Sequence, residues 1–172
     1  MPEKNIVIAQ NEYVDICQNP NGGQIFVKEK YKGVVVLPVD YTGNILLLRH
    51  RRYVEKEPML EIPRGIMNSG ETYARGAMRE LYEETNIKIS EEDIEELGRI
   101  HADSGLINEN TMIVLARVKE FSEVKCNDAN EKILGYQIVT ITELADLIHK
   151  NIITDGFTLA AFSMFVAEDY LY

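Results

Sequence analysis

Glu71-Thr-Tyr-Ala-Arg-Gly-Ala-Met-Arg-Glu-Leu-Tyr-Glu-Glu-Thr-Asn86 decides the fold, because it reads as a helix that sets carboxylates where an ordinary helix would avoid them. Glu80, Glu83 and Glu84 stand at i, i+3 and i+4 and so share one face. Like charges at such spacings destabilise a helix by about 0.2–0.5 kcal/mol per neighbouring pair. A divalent cation reverses that penalty. Mg²⁺ takes a few carboxylates, keeps several waters and completes its shell with substrate phosphate oxygens, so the cluster reads as a platform for Mg²⁺ (or Mn²⁺) and a phosphorylated substrate. A lone Glu-x-x-Glu-Glu usually means only a solvated acidic face, but the neighbours argue otherwise. At about 100° per residue, Gly76 and Tyr73 fall on the side of the glutamates, while Ala74, Ala77, Met78 and Leu81 form an adjoining apolar stripe. A glycine inside a helix costs roughly 1 kcal/mol relative to alanine. Gly76, one turn before Glu80, is therefore expected to leave open space above the carboxylates.

Upstream, Leu60-Glu-Ile-Pro-Arg-Gly-Ile-Met-Asn-Ser-Gly70 runs from an extended apolar segment through Pro63 and Gly65 to a turn at Asn68-Ser69-Gly70. Nearer the N-terminus, Tyr13-Val-Asp-Ile-Cys17 and Gln24-Ile-Phe-Val-Lys28 read as a hairpin around the turn signal Asn19-Pro-Asn-Gly-Gly23. A second hairpin follows, Gly33-Val-Val-Val-Leu-Pro-Val39 and Asn44-Ile-Leu-Leu-Leu-Arg49, whose continuous apolar runs imply burial on both faces and hence a sheet covered by helices. After the acidic helix come a Ser90-initiated turn and extended segments near 98–102, 111–118 and 135–140. Thr140-x-x-Glu143 opens a helix as a capping box. A final helix from near Asp155 carries Phe157, Ala161, Phe165 and Tyr170 at helical spacing, a stripe that means core or subunit packing rather than a cofactor box. The fold class is α/β of the α+β type, a mixed sheet between helices. Residues 1–32 form a small N-terminal hairpin region and 33–172 the main domain.

At 172 residues and 45% apolar content the chain can bury one substantial core. Its net charge of −10 opposes binding to a nucleic-acid backbone, which depends on Lys and Arg displacing counterions. A small nucleotide is not opposed, since a metal and a few local arginines neutralise its phosphates. Arg51, Arg52 and Arg64 are the candidates, although edge-strand solubility is the ordinary reading of such residues. Along Arg49-His50-Arg51-Arg52 the side chains alternate, so Arg49 and Arg51 face one way and His50 and Arg52 the other. No apolar run approaches the roughly 20 residues needed to span a bilayer, and no apolar signal region follows the N-terminus. A cytoplasmic protein is expected, without membrane or nucleic-acid partners. Cys17, Cys126 and the three histidines follow no zinc spacing.

Taken whole, Gly65, Glu71, Arg79-Glu80-Leu81, Glu83-Glu84 and Asn86-Ile87 resemble in spacing the signature of the Nudix hydrolases. The family pattern has Gly where this chain has Asn86, a helix-ending position at which the left-handed conformation is expected and which Asn tolerates best after Gly. Beyond the signature the resemblance is to enzymes that split ADP-ribose and related nucleoside diphosphate sugars. It extends to the hairpin at 13–28, Leu47-Leu-Arg-His-Arg-Arg-Tyr53, Leu60-Glu-Ile-Pro-Arg-Gly65 and Asp155-Gly-Phe-Thr-Leu159. One segment departs: His101-Ala-Asp-Ser-Gly-Leu106 stands where typical ADP-ribose pyrophosphatases resemble Tyr-Pro-Ser-Pro-Gly, in the part that shapes the sugar or base pocket.

The resemblance implies a Nudix α/β/α sandwich and Mg²⁺-assisted attack of water on a diphosphate phosphorus. It also implies site roles: Glu80 and Glu84 as metal ligands, Glu83 as a ligand directly or through water, and the Arg64 carbonyl as a further oxygen. Arg79 would orient the carboxylates and Glu71 would hold Arg79. Arg52 would hold a terminal phosphate or pair on the surface. An extra catalytic glutamate is expected from a loop, Glu131 of the polar stretch 120–131 first and Glu109 of an earlier loop second. That stretch offers little apolar burial, so a mobile loop is expected. Such enzymes commonly pair as homodimers, in keeping with a hairpin too small to be stable alone. ADP-ribose is the first substrate expectation, a GDP-sugar or other nucleoside diphosphate derivative the next. A non-catalytic Nudix-like module that binds a nucleotide to regulate a partner is the alternative of a different class.

Overall fold

The computed structural model describes residues 5–171, with side chains through Glu168. The N-terminal part is a meander of β1 (Ile6–Gln10), β2 (Val14–Gln18) and β3 (Ile25–Glu29). The expected hairpin is β2 with β3. Sequence reading missed β1, which adds antiparallel to β2 with a bulge between Val7 and Ala9. A short strand from far along the chain, β9 (Ile107–Asn108), pairs parallel with β3 and completes a four-stranded sheet. The N-terminal region is thus tied to the rest of the molecule through backbone hydrogen bonds. A two-stranded hairpin alone would lack that support.

The second sheet is built on β4 (Gly33–Asp40) and β5 (Asn44–His50), with β8 (Ile94–Ile100), β10 (Thr111–Val118) and β11 (Ile133–Thr140) outside them in the order β11-β5-β4-β10-β8. β4 and β10 run parallel and the other pairs antiparallel. β8 begins earlier than the sequence suggested, directly after the 3-10 turn Glu91–Asp93 that Ser90 caps. The expected hairpin of β4 and β5 is splayed, its strands registering only at Val39 and Ile45. Into the opening runs the segment 59–66. β6 (Met59–Glu61) pairs with β5 and β7 (Arg64–Ile66) pairs with β4. This wedge carries Glu61, Arg64 and Gly65 to the mouth of the V.

Alternation along the strands divides the core into two layers, as continuous apolar strands require. Val35, Leu37, Ile45, Leu47, Ile113 and Leu115 face α2 (Ile141–His149) and α3 (Gly156–Leu171). Val34, Val36, Leu46, Met112 and Val114 face Ala77 and Leu81 of α1 (Tyr73–Thr85). The sheet is therefore sandwiched between helices. Phe157, Ala161 and Phe165 pack on the first layer and belong to the core; Tyr170 lies outside the described side chains. Thr140 and Glu143 form the anticipated capping box at α2.

Candidate active site

α1 starts at Thr72, whose side chain accepts from the Arg75 amide, and ends at Asn86 with φ 65°, the left-handed conformation expected there. Its apolar stripe fixes the rotation of the helix, and that rotation turns Glu80 and Glu84 inward beneath β7. The close approach is made by Gly65, where a Cβ would collide with the Glu80 carboxylate. Gly76 does something else. A Cβ there would meet Met67 at 3.3 Å, Glu71 Oε2 and Val34, so this glycine seats the loop before the helix and leaves no open space above the carboxylates. Gly65→Ala is expected to displace Glu80 and lower turnover on the order of 10²-fold, the scale of an ångström misplacement, with an unchanged circular dichroism spectrum. Wild-type turnover in that variant would show that the approach is incidental.

Arg79 binds the acidic face together. Its Nε and one terminal nitrogen donate to both oxygens of Glu71 (2.9 and 3.0 Å), the other terminal nitrogen donates to Glu80 (2.7 Å) and Glu83 (3.0 Å), and the Ile66 carbonyl takes a further bond at 2.8 Å. Glu71 is in turn anchored by the Asn68 amide at 2.7 Å. The Arg79 guanidinium holds the Glu71 carboxyl down at about 2, while its own pKa is raised. The resemblance implied that Glu71 holds Arg79, and two hydrogen bonds join them.

Opposite the helix lies a buried polar network. Glu61, with no exposed surface, receives His50 Nδ1 at 2.7 Å, Arg52 at 2.6 Å and Arg64 at 3.2 Å. Arg64 also pairs with Asp155 at 2.9 Å and lies 4.7 Å over the Phe157 ring. Asp155 accepts from Thr158, whose hydroxyl accepts from the Ile62 amide. The Leu60–Gly65 and Asp155–Leu159 segments thus meet here, and the Arg64 amide donates to Glu84 at 3.1 Å, joining network to cluster. Burial resists a charge on Glu61, but His50, Arg64 and Arg52 outweigh it and lower its pKa. Burial likewise resists charge on His50, yet hydrogen bonds to Glu131 and Glu61 raise it to about 9. That raised value favours the form of the imidazole that donates from both nitrogens, one to each carboxylate.

Glu131 reaches the same place from the polar stretch, its carboxylate 3.1 Å from His50 Nε2. The stretch is not the loosely held loop expected from its composition. Lys125, Asn127 and Tyr136 satisfy the free carbonyls at the end of α1: Asn127 N to Glu83 O at 2.7 Å, Asn127 Nδ2 to Tyr82 O at 2.8 Å, Lys125 N to Thr85 O at 3.2 Å and Tyr136 OH to Glu84 O at 2.7 Å. Hydrogen bonds to a helix terminus do what apolar burial does not. Glu109 lies elsewhere. It is buried against the Ala102 amide and Thr111.

One ligand atom each of His50, Glu84 and Glu131 lies within 4.8 Å of the others. Burial pushes Glu84 up to about 8, with Glu131 and Glu80 adding, and pushes Glu80 up to about 7 against the pull of Arg79. Buried carboxylates that resist ionisation are the donor set a divalent cation relieves, and the oxygens suit a hard ion. The sign of the pH dependence follows. Both folded values lie above the ordinary 4.5, so the stability these groups contribute is present below that pH and lost as pH rises through 7 and 8. The melting temperature of metal-free protein should fall between about pH 5 and pH 8.5, and Glu84→Gln should flatten the fall. Millimolar Mg²⁺ should restore it at the upper end through linkage. Absence of any Mg²⁺ shift would contradict a preformed site.

Of the sequence-proposed residues, Glu80, Glu83, Glu84, Arg79, Arg64, Arg52 and Glu131 converge here. Arg51 does not: it is exposed, just past the end of β5. Arg52 pairs with buried Glu61 instead of on the surface. Sequence reasoning passed over Glu61, Asp155 and His50 as site residues. The one signal for Glu61 was a carboxylate inside the apolar run Met59–Ile62.

The NUDIX domain family model matches residues 30–157. No curated protein sequence matches the chain. Among solved structures, the crystal structure of an ADP compounds hydrolase superposes with a TM-score of 0.73 at 17% identity, covering 98% of this chain and 91% of that one. At that identity the likeness is one of fold. The acidic helix, the wedge of β6 and β7 above it and the matched span of sequence agree: the chain belongs to the Nudix hydrolase family.

Proposed function

We propose that the protein hydrolyses the diphosphate bond of a nucleoside diphosphate sugar in a Mg²⁺-dependent reaction, with ADP-ribose as the leading substrate and AMP and ribose 5-phosphate as products. The observation that carries this reading is a shared wall. A cleft of about 210 Å³ between the N-terminal strands and β4 is lined by Tyr13, Glu29, Tyr31 and Phe157 and also by Arg52, Arg64 and Gly65, of which Gly65 meets Glu80 and the Arg64 amide donates to Glu84. Aromatic faces and a carboxylate suit a nucleoside, and guanidinium forks suit phosphate oxygens.

Glu80 and Glu84, with Glu83 and the Arg64 carbonyl, would hold the metal. When bound, it would lower the pKa of water and polarise phosphate oxygens. The chain's own residues do the rest. Arg52 and Arg64 draw the diphosphate against Gly65, Arg79 keeps Glu80 and Glu83 in register, and Glu131 takes the proton of the attacking water as the P–O anhydride bond breaks. A panel of ADP-ribose, GDP-sugars and UDP-sugars should give the highest kcat/KM for ADP-ribose; a GDP-sugar ahead of it would move the assignment. The two cysteines are free thiols, in keeping with a cytoplasmic location, and among the described residues no helix is long and apolar enough to cross a membrane.

We also infer a homodimer. Its support is β1, an edge strand on which Ile6, Val7 and Ile8 are all exposed. Sedimentation should give a dimer at micromolar concentration and a smaller species after removal of residues 1–30; a wild-type monomer would remove this inference.

A further inference from the structure

We propose that His50 is a positioning residue for Glu131: its Nε2 holds the loop carboxylate beside the acidic face of α1, while its Nδ1 is fixed from the interior by Glu61. The proposal rests on the reading of Glu131 as the acid that takes the proton from water.

His50 closes β5 and is 3% exposed, a place where an imidazole is costly unless both nitrogens are satisfied. Both are, by Glu61 at 2.7 Å and Glu131 at 3.1 Å. Glu61 cannot swing, because Arg52 and Arg64 grip it at 2.6 and 3.2 Å. The ring is therefore oriented before Glu131 meets it. Backbone register brings the two together: Ile133 pairs with His50, and the Arg51 amide donates to the Lys132 carbonyl at 3.0 Å, so the residues just after Glu131 are stitched to the end of β5.

Glu131 needs such a holder. Its side chain is one-third exposed, and among the described residues His50 is its sole ion-pair partner. A carboxylate oxygen of Glu84 stands within 4.8 Å of one of its own. Left alone, a glutamate with free χ angles facing another carboxylate turns to solvent. The buried donor at the end of β5 opposes that.

Two amides separate holding Glu131 from filling the core. In His50→Gln the side-chain amide reaches about as far as Nε2, keeping a donor for Glu131 and giving up Glu61. In His50→Asn it reaches only as far as Nδ1, keeping Glu61 and giving up Glu131. The proposal expects His50→Asn to lose kcat about as far as Glu131→Gln does, roughly 10²-fold, with little change in KM, and His50→Gln to retain most of it. In a Glu131→Gln background, His50→Asn should cost nothing further. A purely structural role predicts the reverse order of the two amides, and that order, or full additivity, would overturn the proposal. Should both amides unfold, ¹⁵N spectra of the histidine rings decide. Glu131→Gln should shift one Nε2 resonance, the one that survives in a His101→Gln/His149→Gln background, and leave the other two in place; no shift overturns the contact. Full kcat in Glu131→Gln would remove the reading of Glu131 itself, and the proposal with it, whereas full kcat in His50→Asn beside an impaired Glu131→Gln removes the proposal alone.

Discussion

Replacing Glu84 by Gln is expected to leave the protein folded and to lower turnover by well over 10²-fold, because loss of an outer partner of a metal ligand alone costs about 10–100-fold. Glu84 is 1% exposed, but its side chain packs as a polar group: it takes the Arg64 amide and faces Glu80 and Glu131 across the cluster. Gln keeps the volume and an acceptor for that amide. What it removes is charge, and in metal-free protein the charge is unfavourable, since burial already pushes the carboxyl up to about 8. A variant at least as stable as wild type without metal, yet inactive with it, is the distinctive outcome. Calorimetry beside a steady-state assay reads both. Glu83→Gln should be milder, because Glu83 is the more exposed of the cluster and already paired with Arg79. Near-wild-type turnover of Glu84→Gln at low Mg²⁺ would end the metal-ligand assignment.

Glu131→Gln is the second large effect. The carboxylate sits at the cluster without being part of α1, held on one side by His50 and carried by a stretch fastened to the end of that helix. Loss of a general base lowers kcat by roughly 10²-fold or more and leaves KM little changed. The melting temperature should barely move, because the side chain is partly exposed. Mg²⁺ affinity of the free protein should be retained if Glu131 acts on water, and should weaken if it is a ligand. Full kcat here, together with loss of kcat in Glu109→Gln, would transfer the role to the residue beside Thr111. The position of Glu109, buried against the Ala102 amide away from the cluster, opposes that transfer.

What the chain disclosed by itself was whatever depends on local periodicity. The register of Glu80, Glu83 and Glu84 against Ala77 and Leu81, the left-handed end at Asn86, the capping box at Thr140 and burial of the second hairpin on both faces are all set by neighbours a few residues apart. The pieces that escaped depend on partners distant in sequence. Glu61 is legible as an anchor only once β5, β6 and α3 bring His50, Arg52, Arg64 and Asp155 together. The role assigned to Gly76 belongs to Gly65, because the close approach comes from a strand above the helix rather than from a gap within it. The stretch 120–131 looked loose because its anchors are backbone carbonyls of α1, which have no residue-type signature. The same holds for β1 and β9: two-residue and five-residue strands on a small sheet leave almost no pattern.

The central claim is that the acidic face of α1, under β7 and beside the arginine-walled cleft, breaks a diphosphate with a divalent metal. ³¹P NMR of ADP-ribose with the purified protein tests it most directly. The account predicts that with Mg²⁺ or Mn²⁺ the diphosphate resonances give way to two phosphomonoester signals, those of AMP and ribose 5-phosphate, and persist when the metal is chelated. Diphosphate resonances that broaden on binding but remain intact with either metal, across ADP-ribose and the other nucleoside diphosphate sugars, would contradict it and identify the protein as a module that binds such nucleotides without turning them over.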